Sequence, residues 1–146
     1  AVASGKKYNY QLMNKIVDAD GKTVKKYKAD YEDISDTLTS SQWDAIHSGM
    51  REVVSTMDRF QGFDIPVAGT AQQTGHANHG LFVGYAPYDD PEITIAVRIA
   101  NGYSSHNAAT AARNVISYYY KETSMKDIKE MKAAGANGNT RNSVAD

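Results

Sequence analysis

The sequence predicts an α+β fold in which an antiparallel sheet packs against helices. Three observations carry this reading. Ile93, Ile95, Val97 and Ile99 alternate with Thr94, Ala96 and Arg98, the period of two expected of a strand with one buried face. Trp43, Ile46, Met50, Val53, Val54 and Met57 recur at helical spacing. The links between the expected strands are too short to hold crossover helices, which excludes an all-parallel sheet. The sheet is expected from strands at about 67–72, 80–85 and 92–100, the helices at about 41–57 and 106–121.

In chain order, residues 8–29 read as a β-hairpin. Leu12, Ile16 and Val17 lead into Asp18-Ala19-Asp20-Gly21, and Val24 and Tyr27 lead out. Asp-Gly favours a tight turn because Gly tolerates positive φ. The same run resembles a calcium loop only loosely: its Gly stands fourth, where an EF-hand loop needs one sixth. Residues 30–40 are polar and read as a loop. Ser41 with Asp44 has the form of a capping box at the start of the first helix, whose apolar stripe is read as core-facing. The second sheet strand, Gly80–Tyr85, is apolar on both faces and ends at the turn-rich Ala86-Pro87-Tyr88-Asp89-Asp90-Pro91. Asn101-Gly102 closes the third. In the second helix, Ala108, Ala112, Val115 and Tyr119 share a stripe, with Ala109 and Ile116 beside it, and the alanines allow close approach to a sheet. Residues 122–132 read as its extension, and the Gly- and Asn-rich end as frayed.

Composition narrows the function classes. The chain has 146 residues, enough for one ordinary domain core. Sixteen Lys and Arg against seventeen Asp and Glu leave a net charge of −1, which disfavours a nucleic-acid binder. No run of about 18 apolar residues is present, so no membrane segment is expected and the chain itself is expected to be soluble. The absence of Cys removes disulfides, thiolate zinc sites and cysteine nucleophiles.

Individual motifs are weak. His76 and His79 form H-x-x-H in a Gly- and Asn-rich loop, with no carboxylate or Cys close by to complete a metal site, so neither a metal nor another cofactor is expected. His47 and His106 stand apart from them. Ser4-Gly5-Lys6-Lys7 matches S-x-x-K, and Ser105-His106-Asn107 matches S-x-N, but a chain rich in Ser, Lys and Asn produces such matches by chance. Ser4 also lies at a terminus beside Gly5 and not at the start of a buried helix. Both are rejected as catalytic.

A longer pattern is more specific. Ile65-Pro66-Val67-Ala68-Gly69-Thr70-Ala71-Gln72 is followed by Gly80-Leu81-Phe82-Val83-Gly84-Tyr85-Ala86-Pro87, then by Asp90-Pro91-Glu92-Ile93 and the alternating strand to Asn101-Gly102. This order resembles the C-terminal half of the transpeptidase domain of class B penicillin-binding proteins. In that family the pattern runs I-P-V-A-G-K-T-G-T-A-Q, F-V-G-Y-A-P, D-P-E-I and a strand ending in N-G. Lys6–Asp20 resembles the family's K-x-I-V-D-x-D-G hairpin, and Ile46–Val54 its I-x-x-G-M-x-x-V-V helix. The resemblance covers residues 1–121, leaving 122–146 as a helical extension and tail.

The resemblance implies a partial penicillin-binding transpeptidase fold from a bacterial, membrane-anchored, extracytoplasmic parent that cross-links peptidoglycan stem peptides and is acylated by β-lactams. It also exposes departures. The family's S-x-x-K nucleophile and S-x-N would precede residue 1. The K-T-G is missing between Gly69 and Thr70, with both flanks intact. Substitution drift changes letters; here three residues are gone in register, as an engineered deletion or an omission from the sequence would leave them, with a natural degenerate homologue the less favoured alternative. The resemblance therefore implies no catalytic residue in this chain and assigns Gly69, Thr70, Ala71 and Gln72 to an oxyanion and substrate-binding wall. Removing three residues from a strand is expected to reverse the facing of Thr70, Ala71 and Gln72, to bulge the chain, or to take them out of the sheet.

The expected function is that of a transpeptidase fragment that is inactive alone and binds stem peptide or β-lactam only in the intact parent. The alternative is a non-catalytic binding or scaffold module that uses tyrosines such as Tyr118–Tyr120 as a recognition surface; packing is the favoured role for these tyrosines. A metal-dependent hydrolase built on His76 and His79 is the remote third reading. A partial domain leaves apolar surface uncovered, so self-association is expected.

Overall fold

The computed structural model describes residues 1–74 and 77–130, and the chain divides into two compact units, the first Ala1–Trp43 and the second beginning at Asp44.

In the first unit, β1 (Lys6–Tyr8) pairs antiparallel with β4 (Tyr31–Asp33), and β2 (Lys15–Val17) with β3 (Thr23–Lys26). The expected turn forms at the tip: Gly21 takes φ 82°, and the Asp18 carboxylate accepts from the backbone N–H of Asp20 at 3.1 Å and of Lys22 at 2.8 Å. The single hairpin over 8–29 is corrected to two short ladders. Only isolated backbone bonds, Asn9 to the Asp30 carbonyl and Tyr27 to the Asn14 carbonyl, lie between them. The polar loop expected at 30–40 is corrected too, since it contains β4 and a 3-10 turn at Ser35–Thr37. Side chains across the ladder hold β4. Tyr8 and Tyr31 rings lie 5.3 Å apart, Lys6 sits over Tyr31, and Lys7 lies 3.4 Å from Glu32. Such pairing has no apolar alternation to announce it. The Ser35 hydroxyl and N–H both donate to Asp33 and hold its carboxyl below the ordinary value.

Helix α1 (Ser40–Thr56) starts one residue earlier than expected. Its capping box is Thr39–Gln42, not Ser41–Asp44. The Thr39 N–H donates to the Gln42 side chain at 2.9 Å, and the Gln42 N–H returns to the Thr39 hydroxyl at 3.4 Å. The stripe read as core-facing is corrected in part. Val54 is buried, whereas Ile46 and Val53 are each 38% exposed and Trp43, Met50 and Met57 are half-buried. Only the turn around Val54 meets the cluster of Phe60, Val67 and Phe82.

In the second unit, β5 (Ala68–Thr74), β6 (Ala77–Ala86) and β7 (Ile93–Ile99) form an antiparallel sheet in that order, as expected from the short links. Helix α2 (Ser105–Tyr119) packs on one face and rests chiefly on β6. Its Ala108, Ala109, Ala112 and Ile116 are fully buried, joined by Phe82 and Ala86. Ile93, Ile95, Val97 and Ile99 are half-buried, while Thr94, Ala96 and Arg98 are exposed.

The helical extension expected over 122–132 is corrected to a separate short helix, α3 (Met125–Lys129). Lys121 adopts φ 63° and ends α2 in a Schellman motif: its N–H donates to the Tyr118 carbonyl and that of Glu122 to the Ser117 carbonyl. A Gly would have marked this stop; Lys does not. The Ser124 hydroxyl then accepts from the Asp127 N–H at 3.1 Å and caps α3. The tail read as frayed lies outside the described residues.

Candidate functional site

The segment Gly69-Thr70-Ala71-Gln72 lies on β5, an edge strand of the sheet among the described residues. Its ladder with β6 passes from Gly69 to Thr70 in register, Gly69 opposite Gly84, Thr70 opposite Val83, Ala71 opposite Phe82 and Gln72 opposite Leu81. The chain neither bulges nor leaves the sheet here, and its one register shift comes later, between Gln73 and Thr74. Thr70 is exposed, Gly69 is buried and Ala71 packs against the core cluster. The edge thus presents the Thr70 side chain and strand backbone, with no lysine between Gly69 and Gln72.

Contacts within the second unit hold this strand. The Arg51 guanidinium donates to the Val67 carbonyl at 3.1 Å and fixes the residue that leads into β5. His47 meets the Tyr85 ring edge-on, with centroids 6.1 Å apart. Burial, with Tyr88 nearby, pushes the Tyr85 phenol upward. The Phe82 ring closes over Gly69 and Gly84 from the α2 face. The motif match to Phe82-Val83-Gly84-Tyr85 marks this place in the sequence, but not the close approach that requires its glycine.

The short chemical motifs separate. Ser4 sits in an N-terminal turn, while Lys7 lies on β1 and pairs with Glu32, so they share no helix turn. Ser105 begins α2, and the Asn107 side chain donates to the Gly102 carbonyl at 2.8 Å, which makes this triplet a helix start. His79 Nδ1 accepts from the Asn101 N–H at 3.3 Å, and His76 lies outside the described residues. Among the described residues no three His, Cys, Asp or Glu gather as a metal-ligand set. Two structural contacts were not read from sequence. One is Arg51 at the head of β5. The other is Tyr120, whose hydroxyl lies 3.2 Å from Glu92 and 3.3 Å from the Ala86 carbonyl.

Comparison with known proteins converges on one family. The profile described as "Penicillin binding protein transpeptidase domain" matches residues 1–117. Over 42 residues, 29% of this chain and 6% of the relative, the chain is 52% identical to the peptidoglycan D,D-transpeptidase MrdA of Acinetobacter baumannii. Over 46 residues, 31% of this chain and 7% of the relative, it is 44% identical to MrdA of Haemophilus influenzae. Among solved structures, penicillin-binding protein A from M. tuberculosis, as an imipenem acyl-enzyme complex, matches with a TM-score of 0.66 at 16% identity, covering 80% of this chain and 28% of the other. The D,D-transpeptidase domain of a peptidoglycan glycosyltransferase from Eggerthella lenta matches at 0.61 and 18%, covering 82% and 29%. At these identities the structures speak for the fold alone. The chain spans less than a tenth of the curated relatives it matches and under a third of these solved chains. No helix among the described residues is long and apolar enough to cross a membrane. With the profile matched over 117 of its 146 residues and the fold shared with solved transpeptidases, the chain belongs to the penicillin-binding protein transpeptidase domain family.

Proposed function

We propose that this chain is the substrate-wall portion of a class B peptidoglycan D,D-transpeptidase, and that it performs no acyl transfer alone. The observation that carries the reading is the unbroken β5 ladder through Gly69 and Thr70, at the point where the family's K-T-G would stand. Acyl transfer needs a nucleophile, a base that activates it and donors for the developing oxyanion. Thr70 matches the residue whose backbone N–H serves as such a donor in the family. Gly69, Ala71 and Gln72 complete the wall. The strand lacks the lysine that helps hold the substrate carboxylate in the family, while the exposed Thr70 keeps a hydroxyl on this edge. Ser4 and Lys7, with Lys7 ion-paired to Glu32, do not form a nucleophile and base. Stem peptide and β-lactam are ligands of the intact parent, which we place outside the cytoplasm and anchored in the membrane.

The test is covalent. The 146-residue chain is incubated with a fluorescent penicillin, denatured and run on a gel. No label is expected, and label on this chain overturns the proposal.

A second reading has its own observation. Tyr118 and Tyr119 are 50% and 52% exposed, so packing does not consume them, and a non-catalytic binding module would use them as contacts. A partner captured by the chain and lost on Tyr118→Ser with Tyr119→Ser would favour it.

A further inference from the structure

His47, Arg51 and Val54 fall four and three residues apart on one face of α1. All three bear on the place where β5 begins. Val54 enters the core cluster beside Val67, Arg51 reaches the Val67 carbonyl at 3.1 Å, and His47 meets Tyr85, which pairs with Ala68. The chain there is held by its carbonyls. Pro66 has no N–H, and its carbonyl accepts from the Tyr88 N–H at 2.8 Å. Val67 is 1% exposed, and no backbone N–H among the described residues donates to its carbonyl. A buried carbonyl needs a donor, and the Arg51 guanidinium supplies a charged one.

We propose that Arg51 is a positioning residue for the wall strand: it pins the Val67 carbonyl and so fixes the line on which Thr70 stands, three residues and about 10 Å further on. The inference rests on the reading of β5 as a substrate wall. The ladder to β6 begins only at Ala68, so it sets the register of β5 and not the path by which the chain enters it. A planar guanidinium holds the carbonyl in one direction, where water would let it turn. Beside the bond lies a cavity of about 120 Å³ whose lining includes Arg51, Ser55, Gln61 and Val67. It gives water the room and the polar groups to replace a lost guanidinium. Removing Arg51 therefore loosens the entry to β5 and leaves the second unit folded.

Native-state amide hydrogen exchange of the 146-residue chain, read by NMR, tests this. In Arg51→Ala the ladder-bonded amides of Ala68–Ala71 are expected to exchange about tenfold faster, the worth of one charge-assisted hydrogen bond. Those of α2 and β7 are expected to stay within about twofold. Arg51→Lys keeps a charged donor on a long stem and is expected to recover most of the loss. The unsubstituted chain gives a reading without any variant: the Arg51 guanidinium protons should exchange more slowly than those of the exposed Arg98. Uniform acceleration across the unit makes Arg51 a general stabiliser and overturns the proposal. So does an unchanged β5, an Arg51→Lys chain no better than Arg51→Ala, or an Arg51 guanidinium that exchanges as fast as that of Arg98. Penicillin label on the chain overturns the proposed function while these rates still report the Arg51 contact, so the two failures are distinguishable.

Discussion

Gly69 and Gly84 lie directly opposite one another across the β5–β6 ladder, and each is closed to a side chain by its surroundings. A Cβ on Gly69 would meet the Val83 carbonyl at 2.7 Å and the Phe82 ring at 2.8 Å; one on Gly84 would meet the Ala68 carbonyl at 2.7 Å. The Phe82 ring occupies the space two side chains would otherwise fill, and it is fully buried there. Gly69 is therefore held by packing as well as by strand pairing.

Gly69→Ala and Gly84→Ala are each expected to destabilise the second unit by about 1–3 kcal/mol, because the nearest atoms are backbone carbonyls that cannot move aside cheaply. Gly49→Ala is expected to act in the opposite direction. It lies inside α1 with open space at its Cβ, so Ala should stabilise the helix by up to about 1 kcal/mol. Urea unfolding of the three variants checks both signs, and a stabilising Gly69→Ala would contradict the close approach.

Tyr120 joins the end of α2 to the link between β6 and β7. Burial, followed by the Glu92 carboxylate, pushes its phenol up to about 12. The folded state thus holds this proton more tightly than the unfolded chain, whose Tyr titrates near 10. The contribution is fully present below about pH 10 and is lost as pH rises from there through about 12. Ultraviolet titration should show a late-ionising tyrosine that disappears in Tyr120→Phe. The same variant removes the hydroxyl's bonds to Ala86 and Glu92 and should cost about 0.5–1.5 kcal/mol at neutral pH.

The capping box makes a third distinction. Thr39→Ala is expected to cost about 1 kcal/mol of stability, while Asp44→Ala should change it by less than about 0.5 kcal/mol. Thermal unfolding followed by circular dichroism separates the two. Equal losses would return the cap to Ser41 and Asp44.

Much of the fold was legible in the sequence because local periodicity dictated it. The alternation from Ile93 to Ile99, the alanines of α2 and the Asp18–Gly21 turn each hold in the structure with shifts of a residue or two at their ends. The α2 stripe is corrected at Val115 and Tyr119, which are exposed because the covered face runs through Ala109 and Ile116 instead. The motif order placed β5 and identified the family. What only tertiary structure decided was which surfaces meet. The apolar spacing in α1 marked a stripe, yet only Val54 becomes fully buried, because spacing states which residues share a face and not how much protein lies against it. The pairing of β1 with β4 rests on Lys7–Glu32 and Tyr8–Tyr31, contacts between residues distant in sequence that local pattern does not report. The stop at Lys121 follows from a positive φ that Lys adopts only within the Schellman bonds around it. At the candidate site the residue names came from the motif, whereas the buried Gly69 and exposed Thr70 came from pairing with β6. A strand's side chains alternate by geometry, but its partner and register decide which face is covered.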